Sequence, residues 1–186
     1  MNLKNIYFIL LILFFNQSAK GAENLVLYKG TFNRSIKIED LYKFQLTKQS
    51  SNKLKNLIKI TGQKEQNLHK ILSTKIDIPL KTSSKLMNSK IGEVFLSRLS
   101  KIIYPNKISN KELGIKAMRS GLLLSSFYNN QKINLIDFFK AYPNKNIAID
   151  LNALSKTLKK VESLKDLIEF YSDSPFKKLK DGRSST

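Results

Sequence analysis

Residues Ile147, Ile149 and Leu151 alternate with Ala148 and Asp150, the two-residue period of a half-buried strand. A strand cannot stand alone, because its N–H and C=O groups would be left unpaired. Only one other region of the chain has strand character, and it lies far upstream. There Leu25-Val26-Leu27-Tyr28 meets the turn signal Lys29-Gly30, and Ser35-Ile36-Lys37-Ile38 alternates after it. This reads as a hairpin, and the late strand has no other partner available. Pairing the two closes the chain on itself and brings the ends of the domain together.

Between these strands the apolar spacing is helical. Glu39-Asp40 opens a helix at its dipole-favoured end. Leu54, Leu57 and Ile58, with Thr61 at the edge, make one face that stops at Gly62, a natural C′ residue. Leu68, Ile71, Leu72 and Lys75-Ile76 make the next, ended by Pro79, and Ile91, Phe95, Leu99, Ile102 and Ile103 make a longer one ended by Pro105. Ser109-x-x-Glu112 is a capping-box pattern. It precedes a helix whose stretch from Gly121 to Phe127 is too apolar for a surface and is expected at the centre. Asn134-x-x-Asp137 starts a further helix carrying Leu135, Phe138, Phe139 and Tyr142, which Pro143 stops. Leu154, Leu158, Val161, Leu164, Ile168 and Tyr171 mark the last helix, and a polar tail follows Ser174-Pro175.

The expected fold class is therefore mainly α (α+β). A bundle of about six to seven helices carries a small antiparallel sheet, formed by the N-terminal hairpin and a strand near residues 146–151. Residues 23–171 read as a single helical domain and residues 172–186 as a polar, frayed tail.

The leading segment reads as a signal peptide over residues 1–21. Lys4 is its basic end, Ile6 to Phe15 is an unbroken apolar run, and Ala19-Lys20-Gly21 meets the small-x-small rule. Ten apolar residues are too few to span a bilayer, which needs about 20. The expectation is an exported protein (periplasm, thylakoid lumen or extracellular) cleaved near Gly21-Ala22, with Lys4 and Lys20 leaving in the leader.

A formal charge of +19 stands out, with 33 Lys+Arg against 14 Asp+Glu. Yet the only arginines are Arg34, Arg98, Arg119 and Arg183. Nucleic-acid recognition favours the planar arginine fork, and an exported chain does not meet chromosomal DNA, so no nucleic-acid partner is expected. The lysines read as a scattered, solvated surface.

The chain has no Cys and one His, which excludes thiolate chemistry and any two-His metal site. No Gly-x-Ser-x-Gly elbow, Gly-x-Gly-x-x-Gly fingerprint, P-loop or His-Glu-x-x-His motif occurs. His69 follows Glu65 by four residues and reads as one half of an i,i+4 helix pair at the core boundary. Ser50-x-x-Lys53 and Ser174-x-x-Lys177 have the spacing of a Ser-Lys dyad, but roughly three such pairs arise by chance in so lysine-rich a chain. Glu39, Asp40 and Glu112 have helix-start roles, and Glu162, Asp166 and Glu169 lie on the polar side of the last helix. No catalytic, cofactor-binding or metal-binding residue is assigned, and no cofactor is expected.

The order of motifs resembles a known family. Glu23-Asn24-Leu25-Val26-Leu27-Tyr28-Lys29-Gly30 and Phe32 to Leu41 resemble the opening of the cyanobacterial domain of unknown function 1400. The likeness continues through Ile91-Gly92-Glu93-Val94-Phe95-Leu96-Ser97-Arg98-Leu99 and Ala117 to Ser125, then Asn134 to Phe139, Tyr142-Pro143 and Ile147 to Leu151. In that family the domain typically follows a signal peptide and precedes an α/β-hydrolase domain. Here the resemblance runs to about residue 170, and the domain is expected to stand alone, with no counterpart of the hydrolase triad. The resemblance implies a non-catalytic exported accessory or binding domain, not an enzyme, with a separately encoded hydrolase as the natural protein partner. Two alternatives are a weak electrostatic binder of anionic membrane or cell-surface polymer, and an esterase-like hydrolase with an unrecognised site.

Overall fold

The protein is described by a computed structural model over residues 21–108 and 110–158. Residues 1–20 of the expected leader, Ser109, and residues 159–186, where the rest of the expected last helix and tail fall with Glu162, Asp166, Glu169, Ser174 and Lys177, lie outside the described residues. Within them are eight helices and six strands, so the chain is mainly α with a small sheet.

Strands β1 (Asn24–Lys29) and β2 (Phe32–Lys37) form the expected hairpin, paired antiparallel from Asn24–Lys37 to Lys29–Phe32. Gly30 takes a left-handed φ of 61° at the turn, a conformation that glycine adopts without strain. The late strand, β6 (Asn146–Asp150), pairs with β1 as its sequence requires. The pairing is parallel, however, so the sheet is mixed rather than antiparallel. Parallel neighbours need a long crossover, and here the crossover is the helical body of the domain.

That body begins with α1 (Ile38–Thr47), which has Glu39 and Asp40 in its first turn and buries Ile38, Leu41 and Phe44. Helix α2 (Asn52–Thr61) is capped by the Ser51 hydroxyl, which accepts from the Leu54 N–H. It buries Leu54, Leu57 and Ile58, and ends at Gly62. Helix α3 (Glu65–Ser73) stops before Ile76, which enters a two-residue strand, β3 (Ile76–Asp77). Helix α4 (Leu80–Met87) has no counterpart in the periodicity, because Thr82-Ser83-Ser84 interrupts its apolar positions. Helix α5 (Lys90–Leu99) begins at the Ser89 cap.

Ile102 and Ile103 do not continue α5, contrary to the expected longer helix. Ile103 begins a short edge strand, β4 (Ile103–Pro105), antiparallel to β6, and the sheet order is β2-β1-β6-β4. Pro105, which has no N–H to donate, suits an edge position. The central position of β6 explains its apolar character, with Ile147 and Ala148 fully buried.

Helix α6 (Lys111–Tyr128) is the longest described element. Its cap is Asn110 rather than the expected Ser109: the Asn110 side-chain oxygen accepts from the N–H groups of Glu112 and Leu113. After β5 (Lys132–Ile133), which pairs with β3, comes α7 (Leu135–Ala141). Its Asn134–Asp137 capping box is complete, each side chain accepting from the other's backbone N–H at 3.0 Å. Helix α8 (Leu151–Leu158) packs on β1 and β6. The core joins sheet residues Leu25, Ile36 and Ile147 to Phe44, Leu96, Met118 and Tyr142 from the helical body.

Candidate functional site

The residue types that could carry chemistry are not brought together. His69 lies in α3 with its Nε2–H donating to the Gln45 carbonyl at 2.9 Å, and its ring meets Phe44 edge-on at 5.8 Å. Its partner is thus a backbone carbonyl on α1 rather than the expected Glu65. Ser73 Oγ lies 3.5 Å from the same nitrogen. A nitrogen already donating cannot also take a proton from that serine. Ser50 Oγ is buried without a hydrogen-bond partner, while Lys53 is exposed, so the dyad spacing yields no dyad. Glu112 pairs with Lys116 at 2.7 Å, both largely exposed. The hydrogen bond and charge of that lysine hold its carboxyl below the usual range. Burial, then the Asp150 charge and Tyr28, push the Tyr104 phenol up. Among the described residues no group of three or more His, Cys, Asp or Glu could hold a metal ion.

The distinctive surface is at the C-terminal end of α6. This helix presses its Gly121 against α7, where an added Cβ would stand 2.9 Å from Phe138 Cε2 and 3.2 Å from Tyr142 Cδ2. Glycine is therefore what lets the two helices approach. Ser125 and Ser126 beyond it are also buried. On the outward side Leu124, Phe127 and Tyr128 are 38%, 63% and 72% exposed. The two rings meet edge to face at 5.4 Å.

The base beneath this pair is held in several places. Asn129 donates from its side chain to the Ser125 carbonyl at 2.8 Å, and the Ser126 hydroxyl donates to the Ile78 carbonyl at 2.6 Å. The Ile78 N–H donates to the Gln131 carbonyl at 2.7 Å, and the Gln131 side chain accepts from the Leu80 N–H. Leu124 and Tyr128 continue into a shallow cleft of about 300 Å³, shared with Gly21, Asn129, Asp137, Lys140, Ala141 and Pro143. Lys140, one of these residues, holds its Nζ 3.4 Å above the centre of the Tyr42 ring. Gly21 packs directly on the Lys140 carbonyl oxygen, leaving no room for a side chain.

Sequence reasoning placed residues 121–127 at the centre of the bundle, and this surface corrects it. Gly121 and Ser125 are central, but the last turn of α6 is covered on one side only. The signal was present in the sequence, since Leu122-Leu123-Leu124 and Phe127-Tyr128 spread apolar groups around more of the helix than one neighbour can cover.

Residues 21–150 match the family described as "Alpha/beta hydrolase of unknown function (DUF1400)". The chain belongs to this family. No curated protein matches it, and no solved structure matches it. The DUF1400 match takes in the hairpin, the helical body and β6, and so both the Gly121 contact and the aromatic pair. An α/β-hydrolase carries its nucleophile on a strand-to-helix turn over a sheet of mostly parallel strands. Among the described residues of this DUF1400 chain only β1 and β6 run parallel in the four-stranded sheet, and the sequence has no Gly-x-Ser-x-Gly.

Proposed function

We propose that this chain is an exported, non-catalytic accessory domain whose Leu124-Phe127-Tyr128 surface docks an α/β-hydrolase domain. The observation that carries the reading is the pair of exposed rings on a hydrogen-bonded base. Aromatic side chains bring large contact area at small entropic cost, and they dominate the centres of protein interfaces. The hydrolase description of the family supplies the class of partner. Export is supported by the apolar run Ile6 to Phe15 ahead of Ala19-Lys20-Gly21. Cleavage after Gly21 leaves the buried Ala22 as the first residue, so every strand and helix of the described fold is retained.

The test titrates the purified chain into purified α/β-hydrolase domains of the same family, using calorimetry. Binding by the native chain, weakened at least tenfold in Phe127→Ala/Tyr128→Ala, is the expected result. Equal binding by the double variant, or no binding to any such domain, overturns the proposal.

A further inference from the structure

Between Asp40 and Glu65 the chain carries Lys43, Lys48, Lys53, Lys55, Lys59 and Lys64 and no acidic residue. The equally long acid-free stretch of residues 113–136 carries only Lys116, Arg119 and Lys132. The basic charge is therefore less evenly scattered than the sequence first suggests. All six lysines are exposed. The ion pairs among the described residues are Lys116–Glu112 and Lys145–Glu23, so none of the six is neutralised there.

Helix α2 organises half of these cations. Leu54, Leu57 and Ile58 face the core at helical spacing. Asn52, Lys53, Lys55, Asn56, Lys59 and Ile60 are left on the solvent side. Ile60 is 49% exposed, and Leu46 in the last turn of α1 is 65% exposed. A surface of this make-up, ammonium groups on flexible apolar stems with bare aliphatic side chains between them, fits an anionic headgroup layer. It fits a nucleic acid or rigid polyanion less well. Those are gripped by arginine forks and stacked aromatics. The stretch has no arginine, Phe44 is buried, and Tyr42 lies beneath Lys140.

The geometry points to the outer face of α2, with its flanking lysines, as a docking surface for an anionic lipid membrane. It is a separate surface from the α6 aromatic pair and does not rest on the hydrolase reading. The full chain is tested by co-sedimentation with neutral phosphatidylcholine vesicles and with vesicles containing about 30% phosphatidylglycerol, across a salt series. The apolar leader contributes equally in every variant, so the readout is the part of binding that depends on lipid charge.

Each lysine held at the surface contributes about fivefold in partitioning. Lys53→Gln/Lys55→Gln/Lys59→Gln is therefore expected to lose at least about 25-fold, even if only two of the three reach the headgroups. Lys81→Gln/Lys85→Gln/Lys90→Gln makes the same charge change elsewhere and is expected to lose much less. Ile60→Ser is expected to weaken binding while leaving its salt dependence unchanged. Circular dichroism confirms that each variant is folded. Equal losses in the two triple variants, or binding indifferent to phosphatidylglycerol, overturn the assignment. Capture of soluble polyphosphate with no charge-dependent vesicle binding overturns it in favour of a polymer ligand.

Discussion

Replacing Tyr142 by Phe should make this protein more stable, and increasingly so at high pH. Tyr142 is fully buried at the end of α7, its ring edge-on to Phe138 at 5.6 Å and resting on Gly121. Its hydroxyl has no hydrogen-bond partner. A buried polar group left unsatisfied costs about 1–3 kcal/mol, whereas the ring contacts survive the change to Phe. Allowing for the small void left by the oxygen, a gain of about 1 kcal/mol is expected near pH 8, or about 2–4 °C in Tm for a chain of this size. Burial also pushes the Tyr142 phenol far above its usual range. Below about pH 10 the phenol is neutral whether folded or unfolded, so it adds no pH dependence there. Above that value the unfolded state ionises and the folded state does not, so the native protein loses stability as pH rises. By pH 11 the loss is about 1.4 kcal/mol, and the Phe variant escapes it. Urea unfolding of both proteins at pH 8 and pH 11 tests this, because the titration of lysines is common to the two. A variant less stable at pH 8 would show that the hydroxyl is satisfied, a gap that does not widen at pH 11 would show that the phenol ionises in the folded protein, and either refutes the reasoning.

Three further outcomes are expected. Gly121→Ala forces a methyl group against Phe138 and Tyr142 and should destabilise by about 1–3 kcal/mol, read as a lower urea midpoint with an unchanged m-value. Asn134→Ala removes one half of the α7 capping box and should cost about 1 kcal/mol in the same assay. Phe127→Ala/Tyr128→Ala removes mostly exposed rings and should shift stability by no more than about 0.5 kcal/mol per site. A cooperative loss of several kcal/mol would mean that the pair is part of the core.

The legible parts of the fold were those where one local rule met no competitor. Asn134-x-x-Asp137, the Leu54-Leu57-Ile58 face and the hairpin around Gly30 each depend on neighbours a few residues away. Requiring a partner for Ile147–Asp150 led correctly to the hairpin, because unpaired backbone is costly wherever it occurs. The direction of that pairing was not legible. Alternation fixes which side chains of a strand face the core and is indifferent to whether the neighbour runs parallel. Ile103 was misread for a related reason: a helix end followed by a three-residue edge strand offers too short an apolar run for its period to be told.

The candidate surface shows the same limit at the level of function. Hydrophobic runs such as residues 121–128 report that burial is wanted, and within one chain the usual supplier of burial is the core. Gly121 does take its cover from α7, but Phe127 and Tyr128 remain 63% and 72% exposed. A pattern of apolar side chains cannot separate these cases, because the same transfer of area from water drives core packing and association alike. What separates them is the side of α6 on which each residue falls. Gly121, Ser125 and Ser126 lie on the side that α7 and the core cover, and all three are buried. Leu124, Phe127 and Tyr128 fall on the outward side of the same turns, and an apolar run that spreads around a helix does not say in sequence which of its sides a neighbour will cover.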